Sequence, residues 1–194
     1  MPHRAFIPSA DQRFGYLNDI ALNKRPPTYQ YNSNAKHFQL YSTIATGIDN
    51  WHREVVKNSV VVEVDRFTDV SKPGAARHSW KLSFGPNSPF NTSGRLLSSE
   101  VDHKTNALLQ AVLAALQAFN NIQKADKNIK YLYILIPSET IVRVLGWGEN
   151  VDLVRKEKKF PLKLSQMFRS AGVSIKKLEG PRCSVRFWLR NGQS

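Results

Sequence analysis

The sequence predicts an α/β fold in which a mixed sheet is flanked by helices. Ser59–Asp65 (SVVVEVD) and Tyr131–Ile136 (YLYILI) are near-continuous β-branched and apolar runs, the pattern of strands buried on both faces. Between them Leu108, Leu109, Val112, Leu113, Leu116 and Phe119 recur at helical spacing, with alanines filling the gaps. Two shorter strand-like segments separate the first run from that helix. Three consecutive strands pair naturally as antiparallel neighbours, whereas the later strand–helix–strand steps call for parallel crossovers.

Taken in order, residues 1 to about 36 are polar and turn-rich and read as an extended arm. Phe38–Val56 is a mixed stretch, strand or loop, that leads into the fold. The predicted organisation is therefore an N-terminal arm over 1–50 and one domain over 51–194. After SVVVEVD, the turn residues Ser71–Ala76 lead to His78–Phe84, which alternates like a half-buried strand. A loop rich in Pro, Asn and Gly then precedes a third strand near Gly94–Ser98. The long helix spans 103–121, and YLYILI follows. Pro137 and Ser138 start a short helix with Ser138 as N-cap and Ile141, Val142 and Leu145 as its apolar face. Val151–Lys159, with its RKEKK run, reads as a charged connector. A helix is expected from Pro161 to about Ala171, stopped by Gly172. The apolar segments Val173–Leu178 and Ser184–Leu189 supply one or two final strands.

Charge is the loudest global signal: 28 Lys and Arg stand against 15 acids in 194 residues, a formal +13. Such an excess fits a polyanionic partner, nucleic acid first, because binding to phosphates releases condensed counterions. Residues 151–194 alone carry eleven Lys and Arg against three acids. The single cysteine, Cys183, excludes an internal disulfide and a cysteine-based zinc site. No apolar run approaches a membrane span and the N-terminus has no signal-peptide core, so a soluble intracellular protein, nuclear or cytoplasmic, is expected.

Four ordered stretches narrow the fold class. VVVEVDRFTD, PGAARHSWKLSFGPNSPFNTSGRL, HKTNALLQAVLAALQAF and YILIPSETIVRVLGW resemble the cellular ribonuclease H family, particularly eukaryotic members with a GPxxPxNxSGRL-like loop. The resemblance runs from about Val60 to Trp147 and more loosely over the ending VRFWLRN. It implies a mixed five-stranded sheet flanked by helices. It also implies an ancestral hydrolase that cuts the RNA strand of RNA–DNA hybrids with two metal ions held by four carboxylates. Two divalent cations about 4 Å apart repel strongly, and only a dense carboxylate cluster holds them.

On this resemblance Asp65 matches the first family Asp, although Arg66 replaces the usual small residue after it. Leu108 stands where the family Glu belongs, a hydrocarbon in place of a carboxylate. Ser138 stands at the second family Asp. The last family helix, with the final Asp and a nearby His, is expected to be missing, because the sequence runs out at WLRNGQS. One ligand of four cannot hold two metals, so no catalytic residue, metal or cofactor is expected, and Asp65 is either a vestigial ligand or an ordinary solvated strand-end carboxylate paired with Arg66 or a nearby Lys. Glu63 and Asp69 do not rescue the site.

A basic grip on nucleic acid is expected instead. In relatives the segment after the second helix forms a basic protrusion. Arg155, Lys156, Lys158, Lys159 and Lys163, with Trp147, match that arrangement of cations for phosphates and a ring for a sugar or base, with a solvated charged loop as the alternative. Lys104, Thr105 and Asn106, after His103, occupy the family's phosphate-contacting turn, where ordinary helix capping is the equal alternative. Trp80 and Trp188 read as core; Tyr131 and Tyr133 as core or rim. The leading expectation is a non-cleaving binder of duplex RNA or RNA–DNA hybrid backbones. The alternative is a protein-interaction scaffold. Loss of the last helix would bare one sheet face for a partner or a second copy.

Overall fold

A computed structural model describes residues 4, 28–47, 50–69, 77–96, 103–179 and 183–190, with the side chains of 42–55, 69, 77 and 103 excluded. The expected turn at Ser71–Ala76 and most of residues 1–27 lie outside the described residues. So do residues 191–194, where a helix following the last strand would begin.

The strands are β1 (Thr28–Asn32), β2 (His37–Gly47), β3 (Asn50–Val55), β4 (Ser59–Asp69), β5 (Arg77–Ser83), β6 (Thr92–Arg95), β7 (Tyr131–Ile136) and β8 (Ser184–Leu189). The helices are α1 (His103–Ala125), the single turn α2 (Glu139–Ile141), α3 (Val151–Lys158) and α4 (Leu162–Leu178). The expected five-stranded unit is present as β6-β5-β4-β7-β8. Here β4, β5 and β6 pair antiparallel, while β7 runs parallel to both β4 and β8. The architecture is the expected mixed five-stranded sheet flanked by helices, and three N-terminal strands enlarge it to eight among the described residues.

The main core lies between one sheet face and the helices. Val60, Val62 and Val64 of β4 alternate inward with Leu132, Ile134 and Ile136 of β7, against Leu109, Val112, Leu116 and Phe119 of α1. Burying each such side chain contributes roughly 1.5–3 kcal/mol, which is why the stretches most legible in sequence form the centre of the molecule.

The opposite face corrects an expectation. Residues 28–47 are not an arm. Tyr29 and Tyr31 on β1, and Phe38 and Leu40 on β2, alternate toward the sheet. The hairpin lays Tyr29, Phe38 and Leu40 over Val61, Tyr133 and Leu135, with Tyr131 and Trp188 at the edge. A boundary at residue 50 therefore cuts through one sheet. Over β4, β7 and β8 the sheet face opposite the helices is covered here by the chain's own hairpin. The hairpin turn is closed by Asn32, whose Oδ1 accepts from the amides of Asn34 and Ala35. Just past β5 the ring of Tyr31 lies on Gly85, whose φ is +127° and where an added Cβ would overlap that ring.

The loop that carried much of the resemblance is held together by its own polar side chains. Asn91 accepts from the Phe84 amide at 2.7 Å and donates to the Gly85 carbonyl at 2.7 Å, while Ser88 donates to the Lys36 carbonyl. Its asparagine and serine serve the fold.

Three further expectations change. The connector Val151–Lys159 is helix α3, capped by Asn150, with Val154 buried beneath a charged surface. Gly172 does not stop α4, which continues to Leu178, so Val173–Leu178 is helical and only Ser184–Leu189 is a strand. A helical glycine costs about 1 kcal/mol relative to alanine, less than the burial of Ala171 and Ile175 on either side returns. The third strand is Thr92–Arg95, ending before Ser98.

Candidate nucleic-acid interface and the Asp65 corner

Parallel register pairs Glu63 with Leu135, so β4 carries Asp65 past the end of β7 toward Pro137 and Ser138. Ser138 is the N-cap of α2 and accepts from the Ile141 amide at 3.4 Å. Asp65 meets a cation supplied by the chain itself. Arg190, just beyond β8, anchors its amide on the Ile136 carbonyl and donates from Nη2 to Asp65 at 2.8 Å. That hydrogen bond, with the nearby Asp65 and Glu63 charges, raises the Arg190 pKa above its ordinary value. Beside it the Tyr29 hydroxyl donates to Glu63; burial first, and then this bond, pushes the phenol pKa up. Leu108 is 2% exposed and packs in the main core. Of the three positions that the resemblance marks, one is an ion-paired carboxylate, one a core hydrocarbon and one a helix cap. Among the described residues no three His, Cys, Asp or Glu gather as a metal-binding group; the Asp69 side chain lies outside them.

The basic side is built on α2, α3 and α4. α2 widens into a π turn over Val142–Gly146, closed by the Trp147 amide on the Val142 carbonyl five residues back. This turn buries Val142 and Leu145 and leaves Trp147 45% exposed. Arg143 at its centre clamps two acids: Nε donates to Glu149 and both terminal nitrogens donate to Glu157, at 2.8–3.0 Å. The hydrogen bond from Arg143 lowers the Glu157 carboxyl to about 2. Asp152 and Arg169 tie α3 to α4 at 2.8 Å.

Within the RKEKK run, Glu157 is thereby engaged, Lys158 leans on it at 3.4 Å, and Arg155 is half-buried. Lys156 and Lys159 are exposed and have no ion-pair partner among the described residues; Lys159 holds the left-handed C-cap conformation. Lys163 is exposed on the first turn of α4. Trp147, Arg155, Lys156, Lys158, Lys159 and Lys163 thus lie between the π turn and the first turn of α4, with Arg155 half-buried and the others exposed.

The other expected patch is split. Lys104 is exposed and Thr105 half-buried on the first turn of α1. Asn106 is 1% exposed, and its Oδ1 accepts from Gln110 inside the fold. The side chain of His103 lies outside the described residues. Trp80 is core-facing, its indole lying over Gly94 and donating to Gln110 at 3.2 Å. Trp188 packs edge-on to Tyr29 with ring centroids 6.1 Å apart. Tyr133 is fully buried and Tyr131 is at the rim. Sequence reasoning missed Arg190, Tyr29 and Arg143. Each acts through a partner on another element, and only the excess of C-terminal cations hinted at Arg190.

No family model matches the chain, and no curated protein does. Among solved structures it is similar to the foamy viral protease-reverse transcriptase in complex with dsDNA, at 18% identity over 70% of this chain and 82% of that one, with a TM-score of 0.46. It is also similar to RNase H1 from the halophilic archaeon Halobacterium salinarum NRC-1, at 16% identity over 68% of this chain and 83% of that one, with a TM-score of 0.36. No described helix is long and apolar enough to cross a membrane.

Proposed function

We propose that the protein is a non-cleaving nucleic-acid-binding module on a ribonuclease H-like fold. The observation that carries this reading is the exposed basic stretch of α3 and α4, where Lys156 and Lys159 stand without ion-pair partners among the described residues, with Trp147 exposed in the turn that precedes α3. Unpaired lysines gain from phosphates through counterion release, and an exposed ring adds contact with sugar or base. The corner at Asp65 supports the non-cleaving half. Its carboxylate is matched by Arg190, and the family's glutamate position on α1 holds buried Leu108. A two-metal hydrolysis needs several converging carboxylates.

Binding to duplex RNA, DNA and hybrid measured against salt tests the first half. Affinity should fall steeply from 50 to 200 mM salt, and Lys156→Ser with Lys159→Ser should flatten the log–log slope by about 2. No binding at low salt to any of the three sinks the reading. Incubating a hybrid with Mg²⁺ or Mn²⁺ tests the second half: intact RNA is expected, and cleavage abolished by Asp65→Asn overturns it.

A further inference from the structure

The outer face of β4, β5 and β6, turned away from α1, carries a group of side chains that the basic helices do not account for. Pairing sets Phe67 beside Ser79 and Ser79 beside Arg95; the next row is Asp65, Lys81 and Ser93. Phe67 is 49% exposed, and Lys81, Ser93 and Arg95 are exposed. Asp65 is the carboxylate directly opposite Lys81, yet it is turned to Arg190, and Glu63 receives the Tyr29 hydroxyl. Lys81 and Arg95 therefore have no ion-pair partner among the described residues. Among the described residues the uncompensated charge on this face is positive, and it flanks an exposed aromatic ring.

We propose that this face binds single-stranded nucleic acid, with one base stacked on Phe67 and the flanking phosphates on Lys81 and Arg95. A duplex covers the faces of its bases with neighbouring bases, so an exposed ring on a sheet face stacks only with a strand whose bases are unstacked. An acidic peptide would satisfy the two cations but leave the ring unused. This inference rests on the nucleic-acid-binding reading and adds a surface separate from α3 and α4.

Fluorescence anisotropy with a labelled oligothymidylate and with a duplex of equal length separates the two surfaces. Phe67→Leu should weaken single-strand binding roughly tenfold, in line with the loss of one stacked base, and leave duplex binding within about twofold; Phe67→Tyr should retain both. Lys81→Ser with Arg95→Ser should flatten the single-strand salt slope by about 1.4. Thermal melting confirms that the variants, all at exposed positions, are folded. Wild-type single-strand affinity in Phe67→Leu overturns the inference, as does displacement of the oligonucleotide by polyglutamate as readily as by unlabelled strand. If duplex binding persists in either case, this surface alone is refuted. Failure to bind either nucleic acid at low salt refutes the functional reading first.

Discussion

Arg190 and Asp65 lie 125 residues apart in the chain and meet at 2.8 Å across the end of β7. The pair fastens the last described strand to the central one, and it gives Asp65 a guanidinium as its counter-ion. Both side chains are more than a third exposed, so solvent screens most of the attraction. Arg190→Gln should cost less than about 1 kcal/mol in urea unfolding, and a double-mutant cycle with Asp65→Asn should return a coupling of that size. A coupling of several kcal/mol would mean that the corner is far drier than it looks.

Leu108 is expected to behave as a packing residue. Leu108→Ala should destabilise by about 2–5 kcal/mol through the cavity it leaves. Leu108→Glu, the residue type that the ribonuclease H resemblance expects there, should destabilise more and give no hydrolysis, since it buries an uncompensated charge. Calorimetry and a hybrid-cleavage assay read the two outcomes. A Leu108→Glu variant as stable as wild type would show that position 108 faces an open site.

His37 should make the fold acid-sensitive. It is buried at the start of β2, and burial lowers its imidazole pKa below the ordinary 6.5. A depressed folded value means that the unfolded chain takes up the proton first. The contribution is complete above pH 6.5 and is lost as pH falls through the folded value. Melting temperature against pH should therefore decline below about 6.5, and His37→Gln should flatten that part of the curve. An unchanged profile removes His37 from the account.

Two glycines should respond in opposite ways. Gly172 lies in the middle of α4 with nothing within 4 Å of the point where a methyl group would sit, so Gly172→Ala should stabilise by about 1 kcal/mol. Gly85→Ala meets the Tyr31 ring and a φ of +127°, and should cost at least about 1–3 kcal/mol. Adding Tyr31→Ala relieves the clash but not the dihedral, so the rescue should be partial. Urea unfolding of the three variants reads both signs.

What the sequence made legible was whatever depends on local period. SVVVEVD, YLYILI and the α1 repeat each declare their burial without reference to distant residues. α3 escaped because Val151 and Val154 are too few apolar positions beside RKEKK to show an amphipathic period. Gly172 misled because its cost is set against burial that only tertiary packing reveals. The β1–β2 hairpin escaped for a different reason: its alternating apolar side chains sit among Pro, Asn and Lys, and their partners Tyr133 and Leu135 lie far downstream in the chain. In the candidate site the identities of the cations were legible, but their pairing was not. Nothing in RKEKK says that Glu157 answers to Arg143, or that Lys156 and Lys159 are left over.

The hairpin also sets an order of events. Tyr29 waits for Trp188. Arg4, which gives its carbonyl to Phe187 and its guanidinium to Glu179, waits for residues at the far end of the sequence. Contacts of such separation are slow to form, because loop closure must be completed before they return any stabilisation. During synthesis Phe38 and Leu40 leave the ribosome well before Tyr133 and Trp188 exist, so an apolar ribbon with open edges stands exposed through most of translation. Aggregation of nascent chains, and its relief by holding chaperones, should centre on residues 28–47.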